Sequence, residues 1–142
     1  AVANEAGTKE TARYKQLATV GRAICLAGTG KADDGIALIE SIIKVEDPKD
    51  MTLFGKAYNA LGNCYLKKQE QEADAAKKAS YEKMALMAFL RTDVLFWKDP
   101  EAHAEALHNL SKLWRKVNKP DRASRARGSL KDRYAGSRWS QD

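Results

Sequence analysis

Apolar positions along this chain recur at helical spacing and almost nowhere alternate with the period of two that a half-buried strand needs. Three segments share one pattern. Leu17, Val20, Gly21 and Ile24 form the first, Tyr58, Leu61, Gly62 and Tyr65 the second, and Leu107, Leu110, Ser111 and Trp114 the third. Positions i, i+3, i+4 and i+7 lie on one helix face, so each set reads as a stripe pressed against a neighbouring element. A small residue sits at the same place in all three. Glycine inside a helix costs about 1 kcal/mol relative to alanine, and close approach of a paired helix at Gly21, Gly62 and Ser111 would explain why it is used.

A turn and a second helix follow each stripe. "AGTGKADDG" (27–35) predicts a glycine-bearing turn with Asp33 or Asp34 as N-cap, leading to a helix that turns Ile36, Ile39, Ile42 and Ile43 inward and stops at Pro48. "VNKPDRA" (117–123) predicts the equivalent turn with Asp121 as N-cap, and the helix after it has Ala123, Ala126, Leu130 and Tyr134 on its inner face. Between them, the spacing predicts a first helix reaching about Glu70 and a second over about 74–97. The latter half of that second helix is apolar on nearly every side, which predicts burial between neighbours. Residues 1–12 lack a stripe and predict a frayed start, and "GSRWSQD" predicts a short tail. The class is all-α, built from αα-hairpins at about 13–48, 52–98 and 101–135 in a single domain.

Composition narrows the chemistry. Lys plus Arg of 25 against Asp plus Glu of 19 gives +6. The excess is carboxy-terminal: residues 1–50 hold seven basic and eight acidic side chains, residues 51–100 eight and six, and residues 101–142 ten and five. Such a bias favours acidic peptides, nucleic acid or an anionic surface, without choosing among them. Cys25 and Cys64 lie inside helical patterns at no metal or disulfide spacing and read as small apolar residues. The apolar run "MALMAFL" (84–90) is too short to span a bilayer. The first residues show no hydrophobic signal core, so the compartment, cytoplasmic or periplasmic, stays open.

No catalytic apparatus is visible. "GTGKA" (28–32) has Cys25 and Ala32 where a phosphate-binding loop needs glycine and a hydroxyl, and no strand precedes it, so it reads as a turn. His103 and His108 are five apart, about 140° around a helix at ~100° per residue, whereas helical metal pairs use three or four. No two carboxylates stand isolated in apolar surroundings for acid–base work. Neither enzyme activity, cofactor nor metal is expected.

The residues resemble the tetratricopeptide repeat family. "YNALGNCY" (58–65) is similar to its first-helix pattern, and "LHNLSKLWRKVNKPDRASRARGSLKDRYA" (107–135) keeps that register, with Ala123 at the second-helix alanine and Ala135 where proline is usual. The closing "LKDRYAGSRW" is similar to the ends of bacterial envelope proteins of that family. Spacing departs from it: the small residues stand 41 and 49 apart, at 21, 62 and 111, rather than about 34. Arg127 stands where an aromatic is usual, as suits a terminal helix.

The resemblance implies a right-handed superhelical stack of about three hairpins whose first helices line a concave groove for a peptide or protein partner. By offset from the stripes, the groove positions are Lys15 and Arg22 in the first hairpin, Lys56, Asn59, Asn63 and Lys67 in the second, and His108, Asn109, Lys112 and Arg115 or Lys116 in the third. Nearly all are cationic or amide, a set that could hold an acidic peptide through its backbone and carboxylates. A second reading uses the basic cluster Arg122, Arg125, Lys131, Arg133 and Arg138 as a phosphate-backbone surface for nucleic acid. Against it, no stacking aromatics are interleaved with those arginines. A third reading is a regulatory domain of a longer chain.

Overall fold

The computed structural model describes residues 2–44 and 48–141, with side chains from residue 7 onward. Six helices follow in order: α1 (Val2–Gly28), α2 (Ala32–Ile43), α3 (Met51–Gln71), α4 (Ala75–Leu95), α5 (Pro100–Lys116) and α6 (Pro120–Arg133), then a 3-10 turn at Arg138–Ser140. No strand occurs among the described residues. Consecutive helices pack against each other, and α3 also meets both α1 and α5, which do not meet each other. Helices α2 and α4 make no close backbone approach to each other, nor do α4 and α6.

Local chemistry sets the boundaries. Asp50, Asp74 and Asp99 cap α3, α4 and α5, each carboxylate accepting a backbone N–H three residues on, from Leu53 (3.0 Å), Lys77 (2.8 Å) and Ala102 (2.8 Å). The expected caps Asp33, Asp34 and Asp121 do not cap. Lys31 and Lys119 hold the N-cap positions without a side-chain bond, and the three aspartates lie in the first turns, where a negative charge still favours the helix N-terminus. The α1–α2 and α5–α6 turns share one device. Gly30 (φ 84°) and Asn118 (φ 60°) take the left-handed conformation, and the next N–H closes onto a carbonyl five residues back, Lys31 to Leu26 at 2.8 Å and Lys119 to Trp114 at 2.7 Å.

Three buried clusters hold the helices together. Val20, Ala23, Ile39, Ile42, Leu53, Phe54 and Ala57 join α1, α2 and α3 with Phe96 from the end of α4, Ala27, Ala32, Ile36 and Cys64 join the same three helices, and Phe89, Leu107, Leu110, Leu113, Ala126 and Leu130 join α4, α5 and α6. Gly62 is the hairpin contact its position predicts: a Cβ there would lie 2.6 Å from the Phe89 ring. Gly21 is different. It is exposed with no atom within 4 Å of a notional Cβ, and the close contact of the first hairpin is made by Gly35, whose Cβ would stand 2.7 Å from the Ala23 carbonyl oxygen. Ile24 is likewise exposed, so of the first stripe only Val20 is buried in the cluster shared with α2, with Leu17 half-buried against it.

Three further expectations are corrected. The helix α1 starts at Val2 rather than fraying to residue 12, because alanine, glutamate and lysine sustain a helix even where residues 7–12 bury nothing. The outer face of α4 is open: Met84, Met87, Val94 and Leu95 are exposed, since the flanking hairpins pack against α4 from only part of its circumference. Finally, the end of the chain is no free tail. Trp139 donates its indole N–H to Glu101 (2.9 Å) and its carbonyl oxygen lies 3.0 Å from His108 Nδ1, which seats the 3-10 turn on α5.

Candidate functional site

Helices α1, α3 and α5, the first of each hairpin, lie side by side with α3 central. A cleft of about 310 Å³ opens across them, lined by Leu17, Gly21 and Ile24 from α1, Lys56, Asn59 and Ala60 from α3, and Glu101 and Glu105 from α5, with Arg138 at the edge. Thus most of the α1 stripe serves the cleft and only Val20 is buried. Gly21 keeps that wall low.

The expected groove amides take another role. Asn59 is 1% exposed and spends both hydrogens of its Nδ2 on α5, one on the Ala102 carbonyl (2.8 Å) and one on Glu105 Oε2 (3.2 Å). Asn63 Nδ2 donates to the other oxygen, Glu105 Oε1, at 2.9 Å. Glu105 therefore clamps α3 to α5, and the two asparagines, i and i+4 on one face, are its ligands. Both Asn59 N–H groups and one of the two on Asn63 are therefore taken within the fold. Asn59 Oδ1, in contrast, is buried without a hydrogen-bond partner among the described residues. Flipping the amide would aim that oxygen at the Ala102 carbonyl and the Glu105 carboxylate, so its orientation is fixed.

The remaining expected residues are divided. Lys56 lines the cleft, and Lys15, Arg22, Lys112 and Arg115 are exposed on α1 and α5 without being among the residues that line it. Lys67 pairs with Glu70 (2.8 Å), Lys116 with Glu82 (3.5 Å), and Asn109 bonds back to the Glu105 carbonyl (3.0 Å). His108 is buried under Trp139 with ring centroids 5.3 Å apart, so it is not a groove residue. With Glu101 and Glu105 facing Lys56 and Arg138, the cleft carries mixed charge rather than a cationic surface.

The basic face is also split. Arg122 and Arg125 line a concavity with Lys119 at the α5–α6 turn, and the Arg122 guanidinium lies 4.8 Å over the Trp114 ring. At ~100° per residue Lys131 points about 180° away from Arg122 around α6. Arg133 stacks near Trp97 (5.9 Å), and Arg138 pairs with Glu101 (2.9 Å).

One cluster passed unnoticed in the sequence. His103, 2% exposed, holds Asp93 Oδ1 with Nε2 (2.6 Å) and Tyr134 OH with Nδ1 (2.7 Å), linking α4, α5 and the end of α6. Its signal was its place on the α5 stripe, four before Leu107. Glu105 had one too: it precedes Ser111 by six, as Lys56 precedes Gly62.

Charge environments follow from contacts. Burial opposes ionisation of Asp50, but the Leu53 N–H, the Arg13 side chain at 2.6 Å and the Arg13 charge outweigh it and hold the carboxyl below its ordinary value. The hydrogen bond to Asp33, more than its charge, raises Lys68, which ties α3 to α2. Burial pushes the Cys64 thiol up to about 11. No cluster of three metal-ligating side chains occurs among the described residues, and Cys25 and Cys64 are both free. No helix is long and apolar enough to cross a membrane among those residues.

Among the described residues, fold and site together define an all-α arrangement of six helices, each packed against its neighbours, with a cleft across three of them. No family model, characterised protein or solved structure matches the chain.

Proposed function

We propose that this chain is a non-enzymatic binding module of tetratricopeptide type, a stack of three hairpins that takes a segment of a partner protein in the cleft across α1, α3 and α5. The cleft itself carries the reading: it is built from the first helices of all three hairpins, on the side where the resemblance puts the binding groove. The shared turn geometry at Gly30 and Asn118 supports a repeated hairpin unit.

The lining describes the ligand. Leu17 and Ile24 offer an apolar wall for one side chain. Because both signs of charge are present, an apolar anchor rather than acidity selects the segment. Peptides selected from a random display library against the folded protein should lose at least about tenfold in affinity on Ile24→Asp. If every selected peptide binds Ile24→Asp as well as wild type, the cleft is not the binding site.

The concavity of Lys119, Arg122 and Arg125 supports the second reading, a nucleic-acid-associated adaptor. A steep salt dependence of RNA or DNA binding, lost in the Arg122→Ala, Arg125→Ala double variant, would favour it.

A further inference from the structure

A second groove lies on the other side of α3, between α2 and α4. Its volume is about 340 Å³; its floor is Tyr58, Leu61 and Tyr65 of α3, and its walls are Ile43 and the α4 residues Met84 and Met87. The two methionines are 45% and 52% exposed, far more than core residues of their size, and α2 and α4 leave the floor uncovered because they do not approach each other. Farther along α4, Val94 and Leu95 continue the exposed apolar face, since positions 84, 87, 91, 94 and 95 fall within ~100° of one another on a helix.

The charged side chains that line the groove, Lys83 and Arg91, are both cationic, and the nearest acidic influence on its floor comes from α2, where Glu40 and Asp33 act on Tyr65. Arg91 is held in place by its Nη1 donating to Tyr58 OH (3.1 Å) and by the Tyr58 ring (5.3 Å), neither of which neutralises it. The two carboxylates of this half of α4 are engaged elsewhere, Glu82 with Lys116 and Asp93 with His103. A recess with a methionine rim suits a helix laid along it, since methionine adapts to varied apolar faces. A flat bilayer would not reach the α3 floor. A second copy of this chain would bring Lys83 and Arg91 against their own like charges.

We propose that the α2–α4 groove binds an acidic amphipathic helix of a partner protein, apolar residues on the Leu61 floor and carboxylates on Lys83 and Arg91. This surface is separate from the cleft across α1, α3 and α5, so one chain can hold two partner segments at once.

The test uses a fluorescent peptide of about 18 residues with leucines at i, i+3, i+7 and i+11 and glutamates beside them, a lysine version, and a scrambled glutamate version. Anisotropy should show the glutamate helix binding at least about tenfold tighter than either control. Met84→Asp with Met87→Asp should abolish that binding, whereas Ile24→Asp in the other cleft should leave it unchanged. Both methionines are exposed, so the fold survives, which circular dichroism checks. Lys83→Glu should reverse the preference toward the lysine peptide. Equal binding of the three peptides, or retention of binding by the methionine variant, overturns the proposal. So does self-association, or binding to vesicles of phosphatidylglycerol, that disappears in the methionine variant while no peptide binds.

Discussion

Alanine at Gly62 and alanine at Gly21 should move stability in opposite directions. A Cβ at Gly62 would lie 2.6, 2.7 and 2.9 Å from three ring atoms of Phe89, which is completely buried. Ordinary carbon contact needs about 3.5–4.0 Å, so the ring must retreat by roughly 1 Å into a closed core. Overpacking of that kind costs about 1–3 kcal/mol, and the gain in helix propensity returns only about 1 kcal/mol, leaving a net loss of up to about 2 kcal/mol. At Gly21 nothing lies within 4 Å of the added methyl group. There the gain stands alone, about 0.5–1 kcal/mol. Urea unfolding followed by far-UV circular dichroism reads both. If overpacking is the cause, Phe89→Leu should recover part of the Gly62→Ala loss, giving a non-additive cycle. Equal shifts of the two alanine variants, or a stabilised Gly62→Ala, would refute the assignment of Gly62, and not Gly21, as a hairpin contact.

Other outcomes follow from particular contacts. Glu105→Ala removes the acceptor of both Asn59 and Asn63 and should cost about 2 kcal/mol, measured in the same unfolding assay, whereas Glu70→Ala, an exposed partner of Lys67, should cost less than about 0.5 kcal/mol. Iodoacetamide at pH 8 should label Cys25 quickly and Cys64 only at the rate of unfolding, since Cys64 is buried with its thiol pushed up to about 11. Mass spectrometry of the alkylated peptides checks this. Asp50 sits below its ordinary carboxyl value in the folded chain, so its contribution is full above about pH 4, the unfolded value, and is lost as pH falls through the lower folded value. Asp50→Asn keeps the helix cap and should flatten that acid limb of the stability curve.

The helix pairs were legible because their stripes repeat and because turn residues interrupt them. α3 ends at Gln71 and α4 covers Ala75–Leu95, close to where periodicity puts them. Caps were harder, since an aspartate near a helix start reads alike whether it precedes the first turn, as Asp50, Asp74 and Asp99 do, or lies inside it, as Asp33 and Asp121 do. Which face of α1 meets α2 could not be read from spacing. Val20, Ala23 and Ala27 are buried, a face made of small residues, while the larger Leu17 and Ile24 line the cleft. An amphipathic pattern gives the direction of an apolar face, not what covers it. The two asparagines were illegible for a related reason: a polar position on a first helix looks solvated until a residue on another helix reaches it, and Glu105 reaches both Asn59 and Asn63.

At 15.7 kDa the chain suits residue-by-residue amide shift mapping by NMR. With a peptide selected on the folded protein, the account predicts that the largest shifts fall on Leu17, Gly21, Ile24, Lys56 and Ala60, with Glu101 on the opposite wall. Shifts confined to Arg122 and Arg125, or to the methionine groove on α4, with the cleft silent, would contradict it.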